Sequence, residues 1–191
     1  MLRTKDVAES RSAEYALPAD FCRIFNQDMN SLYLLASLLA GDREKAERCF
    51  VGGLDDALGR NTVFKEWARS WARRVIVQNA LRIVDPRPGK ENKAAAEGLD
   101  KMTTERPEIA AVLALQSFDR FVFVMSVLER YADHDCAILL NCTRKDVVDA
   151  RMRALEQLGE TAQLLQTQQL ETAARTAEVP GARISAAPAA A

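Results

Sequence analysis

His134, Cys136 and Cys142 are the residues whose types and closeness in the sequence come nearest to a metal or nucleophile set. His134 is the one histidine of the chain, so any Ser-His-Asp or Cys-His centre would have to be built around it, and no motif supports one. The four cysteines, Cys22, Cys49, Cys136 and Cys142, form no C-x-x-C pair, and zinc-ligand spacing is missing. They read as reduced, mostly buried residues of a cytoplasmic protein, with no metal and no cofactor expected. No G-x-G-x-x-G or P-loop pattern occurs, and the carboxylates are scattered at helix-surface spacing. These patterns point to binding and not to an enzyme, with no small-molecule substrate. The chemistry that remains is cationic. Arg144 and Lys145, followed by Arg151 and Arg153, could meet base edges and phosphates if a helix presents them.

The element that must present them lies between Ser117 and Leu158. Phe121, Val124, Met125 and Leu128 recur at helical spacing and predict an amphipathic helix. Asp133 can cap a short second helix with Ala137 and Leu140 facing inward, and Asn141 suits its C-terminal end. Thr143 caps a third helix, with Asp146 three residues on as a weak form of the capping box. A short helix, a tight polar turn and a second helix form the helix-turn-helix pattern, whose second helix can enter the major groove. Arg144 and Lys145 fall at the N-terminal end of that helix. Val148, Asp149 and Met152 share or flank its exposed side, where Asp149 would repel a phosphate.

The order Arg120, Asp135-Cys136-Ala137, Leu139-Leu140-Asn141, Val147, Arg153-Ala154 and Leu158 resembles region four of bacterial RNA polymerase sigma factors of the extracytoplasmic-function (ECF) type. The spacing fits without a gap. Asp135, Cys136 and Asn141 stand where the family has Glu, Ile and Gly, and Asp146 and Arg151 also depart from its pattern.

The rest of the chain is consistent with an all-α protein. Apolar residues make up 48% of it, enough for a packed core, and strand-type alternation is absent. A net charge of -1 excludes a generally basic coat but leaves room for a local basic face. No apolar run reaches the roughly 20 residues that span a bilayer, and no signal peptide is visible. Residues 1–17 read as a flexible arm. Pro18 and Asp20 start a helix that ends at Gly41, Asp42 caps the next, and Asn61 or Thr62 caps a third. Phe64, Trp67, Ala68, Trp71 and Val75 form one stripe of that third helix, expected to be core, opposite Arg69, Arg73 and Arg82. Gly52-Gly53, inside the second helix, marks a bend, a close helix approach or simple drift. Breakers and charge make 85–104 a flexible linker. Pro107 restarts the helical pattern, and the last helix extends through Leu164, Leu165 and Leu170. From 171 to 191 an Ala-rich composition reads as a disordered tail.

The N-terminal half, 18–84, resembles region two of the same family, in Leu32-Tyr33, Leu39-Ala40-Gly41-Asp42-Arg43-Glu44 and Ala46-Glu47. Trp71, Arg74 and Val75 resemble the helix that opens the minus-ten element. The resemblance implies two small helical domains, a three-helix bundle and a helix-turn-helix domain at 105–170. It implies a transcription-initiation factor with core RNA polymerase and promoter DNA as partners. Glu47, Arg48 and Val51 would meet the polymerase. Arg73, Arg74 and Gln78 would meet the minus-ten element, and Arg144 to Arg153 the minus-thirty-five element. Arg48, Val51 and Gly52 replace polar groups of the family's clamp-facing surface. A second expectation therefore stands beside the first: a sigma-like protein-interaction module without promoter activity, with an anti-sigma factor as a candidate partner.

Overall fold

The helical spacing of the sequence becomes helix in most of the residues described by the computed structural model, 14–59, 62–89 and 106–177. In chain order these are α1 (Pro18–Gln27), α2 (Met29–Ala40), α3 (Arg43–Leu58) and α4 (Ala68–Val84), then α5 (Pro107–Ala114), α6 (Ser117–Phe123), α7 (Asp133–Leu139) and α8 (Arg144–Ala177). A 3-10 turn, Lys65–Trp67, precedes α4, and α6 continues into a π-helical turn, Val124–Leu128. No strand forms among the described residues; one isolated bridge joins Tyr15 to Phe64.

The helix ends follow local chemistry. Pro18 sits in the first turn of α1, where its missing N–H costs nothing, and the Asp20 carboxylate accepts from the Leu17 N–H at 3.0 Å. Asp42 caps α3 by accepting from the Lys45 N–H at 2.9 Å. Between these, the expected single helix is broken at Asp28, whose carboxylate pairs with Arg69 at 3.1 Å.

Helix α2 is the hub. Leu32, Leu35, Ala36, Leu38, Leu39 and Ala40 are all buried, and α2 packs against α1, α3, α4, α5, α6 and the π turn. Buried residues of both halves form one continuous cluster, from Phe21, Leu39 and Ile76 to Phe121, Met125 and Val147. Each such large side chain, fully buried, contributes about 1.5–3 kcal/mol relative to exposure.

Close approach between α3 and α4 explains the paired glycines. A Cβ on Gly52 would lie 2.6 Å from Asn79 Oδ1, and one on Gly53 would lie 2.6 Å from Ile76 Cδ1 and 3.4 Å from the Ile76 backbone nitrogen. Of the three readings open in the sequence, the close approach is the one realised. Asn79, buried at this contact, donates to Asp56 and to the Val75 carbonyl, both at 2.8 Å.

Further sequence expectations are corrected. Trp67 is 58% exposed instead of core, because the segment before Ala68 is extended and then 3-10, which rotates it off the α4 stripe. No helix is capped at Thr62 for the same reason, and Asn61 lies outside the described residues. The last helix runs on to Ala177, past the expected start of the tail, since Ala, Glu and Arg there are good helix formers. The end of the expected arm is held in place: the Ala16 N–H donates to the Val63 carbonyl at 2.7 Å, and the Tyr15 ring stacks on Phe64. Residues 1–13, 90–105, which hold most of the expected linker, and 178–191 lie outside the described residues.

The glycine packing gives a contrast to measure. Gly53→Val should lower stability by about 1–3 kcal/mol through overpacking against Ile76. Gly159→Ala in α8, where a Cβ meets nothing within 4 Å, should be neutral or stabilising by up to about 1 kcal/mol. Thermal unfolding of the two variants checks the difference.

Candidate nucleic-acid interface

The turn between α7 and α8 is built by three local devices. Asn141 takes a left-handed conformation, φ 49°, which Asn tolerates better than most residues. The Cys142 N–H returns to the Ala137 carbonyl at 3.0 Å, closing α7. Thr143 and Asp146 then form a reciprocal capping box. Thr143 Oγ1 accepts from the Asp146 N–H at 3.1 Å, and the Asp146 carboxylate accepts from the Thr143 N–H at 2.9 Å. Asp133, expected as a cap, is instead the first residue of α7 and makes no cap bond.

Small side chains let these helices meet. Ala137, Val147, Ala150 and Ala154 are buried together with Phe121, Met125, Cys136 and Leu140. Burial pushes the Cys136 thiol up to about 11, which keeps it protonated at neutral pH. Cys49 is buried and shifted likewise, Cys142 is half-buried, and Cys22 is exposed. His134 is exposed, and no group of three potential metal ligands occurs among the described residues.

The sequence-predicted residues of α8 divide into two sets. Arg144, Lys145, Val148, Asp149 and Met152 are exposed, with Val148 at 39% and Met152 at 61%. Arg151, half-buried, and Arg153, exposed, are instead paired with carboxylates of the fold. Arg151 grips both oxygens of Asp133, and Arg153 grips Asp119 through Nε at 3.0 Å and Nη2 at 2.7 Å. Such two-point pairs fix the guanidinium plane and commit part of each fork to a carboxylate of the fold.

In the N-terminal half, Glu47 accepts from Arg43 at 3.0 Å on the exposed side of α3, beside exposed Arg48 and Val51. Arg73 is engaged: it grips Glu129, which follows the π turn of the other half, and donates to Ser31 Oγ at 2.9 Å. Arg74 is exposed, and Gln78 lines a smaller hollow with Trp71 and Arg82.

The seam between the halves holds what the sequence reading missed. A cavity of about 820 Å³ lies there, walled by Trp67, Trp71, Arg73 and Arg74 on one side and by Glu129, Arg130 and Tyr131 on the other. Arg130 adopts the left-handed conformation, φ 59°. The alternation of tryptophan and arginine in 67–74 was the signal available, since interleaved aromatic and basic residues suit a ligand surface as well as a core.

No protein-family model matches the chain, and no curated protein and no solved structure matches it either.

The carboxylates around the turn make an acid-sensitive device. The hydrogen bond from Arg151 holds the Asp133 carboxyl below its ordinary range, and hydrogen bonds from Thr143 do the same for Asp146. A folded-state pKa below the unfolded value contributes stability above the unfolded pKa, about 3.9 for Asp, and loses it as pH falls through the folded value. The unfolding midpoint should therefore drop on acidification below about pH 4. Asp133→Asn with Asp146→Asn should flatten that drop, which melting curves across this range would measure.

Proposed function

We propose that this chain is a sigma-factor-like protein of transcription initiation, acting by binding and not as an enzyme. The observation that carries the reading is the capped helix-turn-helix, with Arg144 and Lys145 exposed at the leading end of α8. That end of a recognition helix is where base and phosphate contacts are made. In this reading the two halves are separate helical domains joined through 85–104. The first docks on core RNA polymerase through the face of Glu47, Arg48 and Val51 and meets the minus-ten element near Arg74 and Gln78. The second reads the minus-thirty-five element through Arg144, Lys145, Val148 and Met152. Arg73 joins the DNA contacts only when it leaves Glu129, so the domains part on engagement. Arg151 and Arg153 then serve to hold α8 in place. The site of action is the cytoplasm; no helix among the described residues is long and apolar enough to cross a membrane.

With only Arg144 and Lys145 unengaged at the leading end of α8, few phosphates are neutralised, which gives weak affinity for DNA alone and a shallow salt dependence. A sigma factor held on DNA by polymerase works under that condition.

A second reading, a sigma-like interaction module without promoter activity, is favoured by one specific observation. Val148, Met152 and Leu155 are exposed along one face of α8, with Ile138 of α7 exposed at 62%. Exposed apolar side chains at this spacing suit a protein partner such as an anti-sigma factor.

Co-elution with purified core RNA polymerase, followed by transcription from a cognate promoter, tests the proposal. Binding and promoter-specific output are expected. Arg144→Ala with Lys145→Ala should cut that output roughly tenfold or more, as two lost charged contacts would, while the melting temperature stays unchanged. Unchanged output would remove the recognition-helix assignment, and absence of polymerase binding by the folded protein would favour the second reading.

A further inference from the structure

The cavity at the seam combines three properties that ligand sites share. Its volume, about 820 Å³, falls in the range of small-molecule pockets. Its walls are aromatic: Trp67 offers an exposed indole, and Trp71 and Tyr131 add two further rings. Its charge is positive and uncompensated. Glu129 is the only carboxylate among the lining residues, and Arg73 already grips both of its oxygens. Arg74 and Arg130 are left exposed, with no hydrogen bond or ion pair of theirs among the described residues.

The backbone adds an independent observation. Glu129, Arg130 and Tyr131 follow a π-helical turn, and Arg130 takes a left-handed conformation that would suit glycine. Both features are uncommon, and both are concentrated at functional sites. An arginine held there against its backbone preference is placed for its side chain.

We propose that this cavity binds a soluble nucleoside diphosphate, its base stacked among the tryptophan and tyrosine rings and its two phosphates met by Arg74 and Arg130. Guanidinium groups suit phosphate oxygens, and aromatic faces take any base. Because residues of both halves form the walls, the ligand binds only when the halves are together, and it favours that arrangement over a parted one. The inference does not depend on the proposed role in transcription; if that role holds, the nucleotide opposes it.

The chain has two tryptophans, Trp67 and Trp71, and both line the cavity, so their fluorescence reads its occupancy directly. The full chain would be titrated with ADP and GDP, with adenosine, with inorganic phosphate, and with a short single-stranded oligonucleotide. Saturable quenching by a diphosphate is expected at or below about 1 mM, with a matching rise in melting temperature. Adenosine and phosphate alone should each bind at least roughly tenfold more weakly. Arg130→Gly, which suits the backbone and keeps the fold, and Arg74→Met should each weaken binding by a similar factor. No saturable response to either diphosphate would overturn the proposal. So would unchanged affinity in both variants, or tight binding of the oligonucleotide alone.

Discussion

A single buried guanidinium ties the two halves of this chain together. Arg120, on α6, is 1% exposed and has no carboxylate partner among the described residues. It donates instead to carbonyls at the ends of two other helices: Leu113 and Leu115 at the end of α5, both at 3.2 Å, and Leu39 at the end of α2, at 3.4 Å. Terminal carbonyls of a helix lack partners within it and carry the negative end of its dipole, so a cation belongs there. Burial costs several kcal/mol for such an ion and pulls the Arg120 pKa down to about 10. The cation stays because its hydrogen bonds also satisfy carbonyls that would otherwise be orphaned in the core.

Much of the neighbouring sequence follows from making room for that group. Gly41 closes α2 in a left-handed conformation, φ 70°, and a Cβ there would lie 2.5 Å from Arg120 Nη2. Backbone geometry and space thus both demand glycine. Once α2 is pinned against α6, the π turn that extends α6 brings Glu129 to Arg73 of α4, and the aromatic and basic cavity forms between them. The arrangement that buries Arg120 is the one in which Arg73 is committed to Glu129.

The local features of the fold were legible in the residues. Pro18, Asp42, Gly41, Asn141 and the Thr143–Asp146 pair mark helix ends by chemistry that acts over three or four residues, and each does so in the fold. The non-local parts were not. Asp133 and Asp119 are far along the chain from the arginines they hold, so periodicity shows Arg151 and Arg153 only as helix-surface cations. Trp67 leaves the stripe that its spacing suggests because an extended segment and a 3-10 turn interrupt the helical period before Ala68. Arg120 stood out as a residue of the family pattern, but nothing in the sequence showed that it would be buried against α2.

The most direct measurement is the unfolding of Arg120→Met in urea, followed by tryptophan fluorescence and far-ultraviolet circular dichroism together. Both tryptophans lie in the N-terminal half, whereas dichroism reports helices of both halves. In the wild type the two signals should trace one transition. In the variant, stability should fall by about 3 kcal/mol or more, with the two signals separating as the halves lose their tie. Coincident transitions with a midpoint close to wild type would contradict the central role given to Arg120.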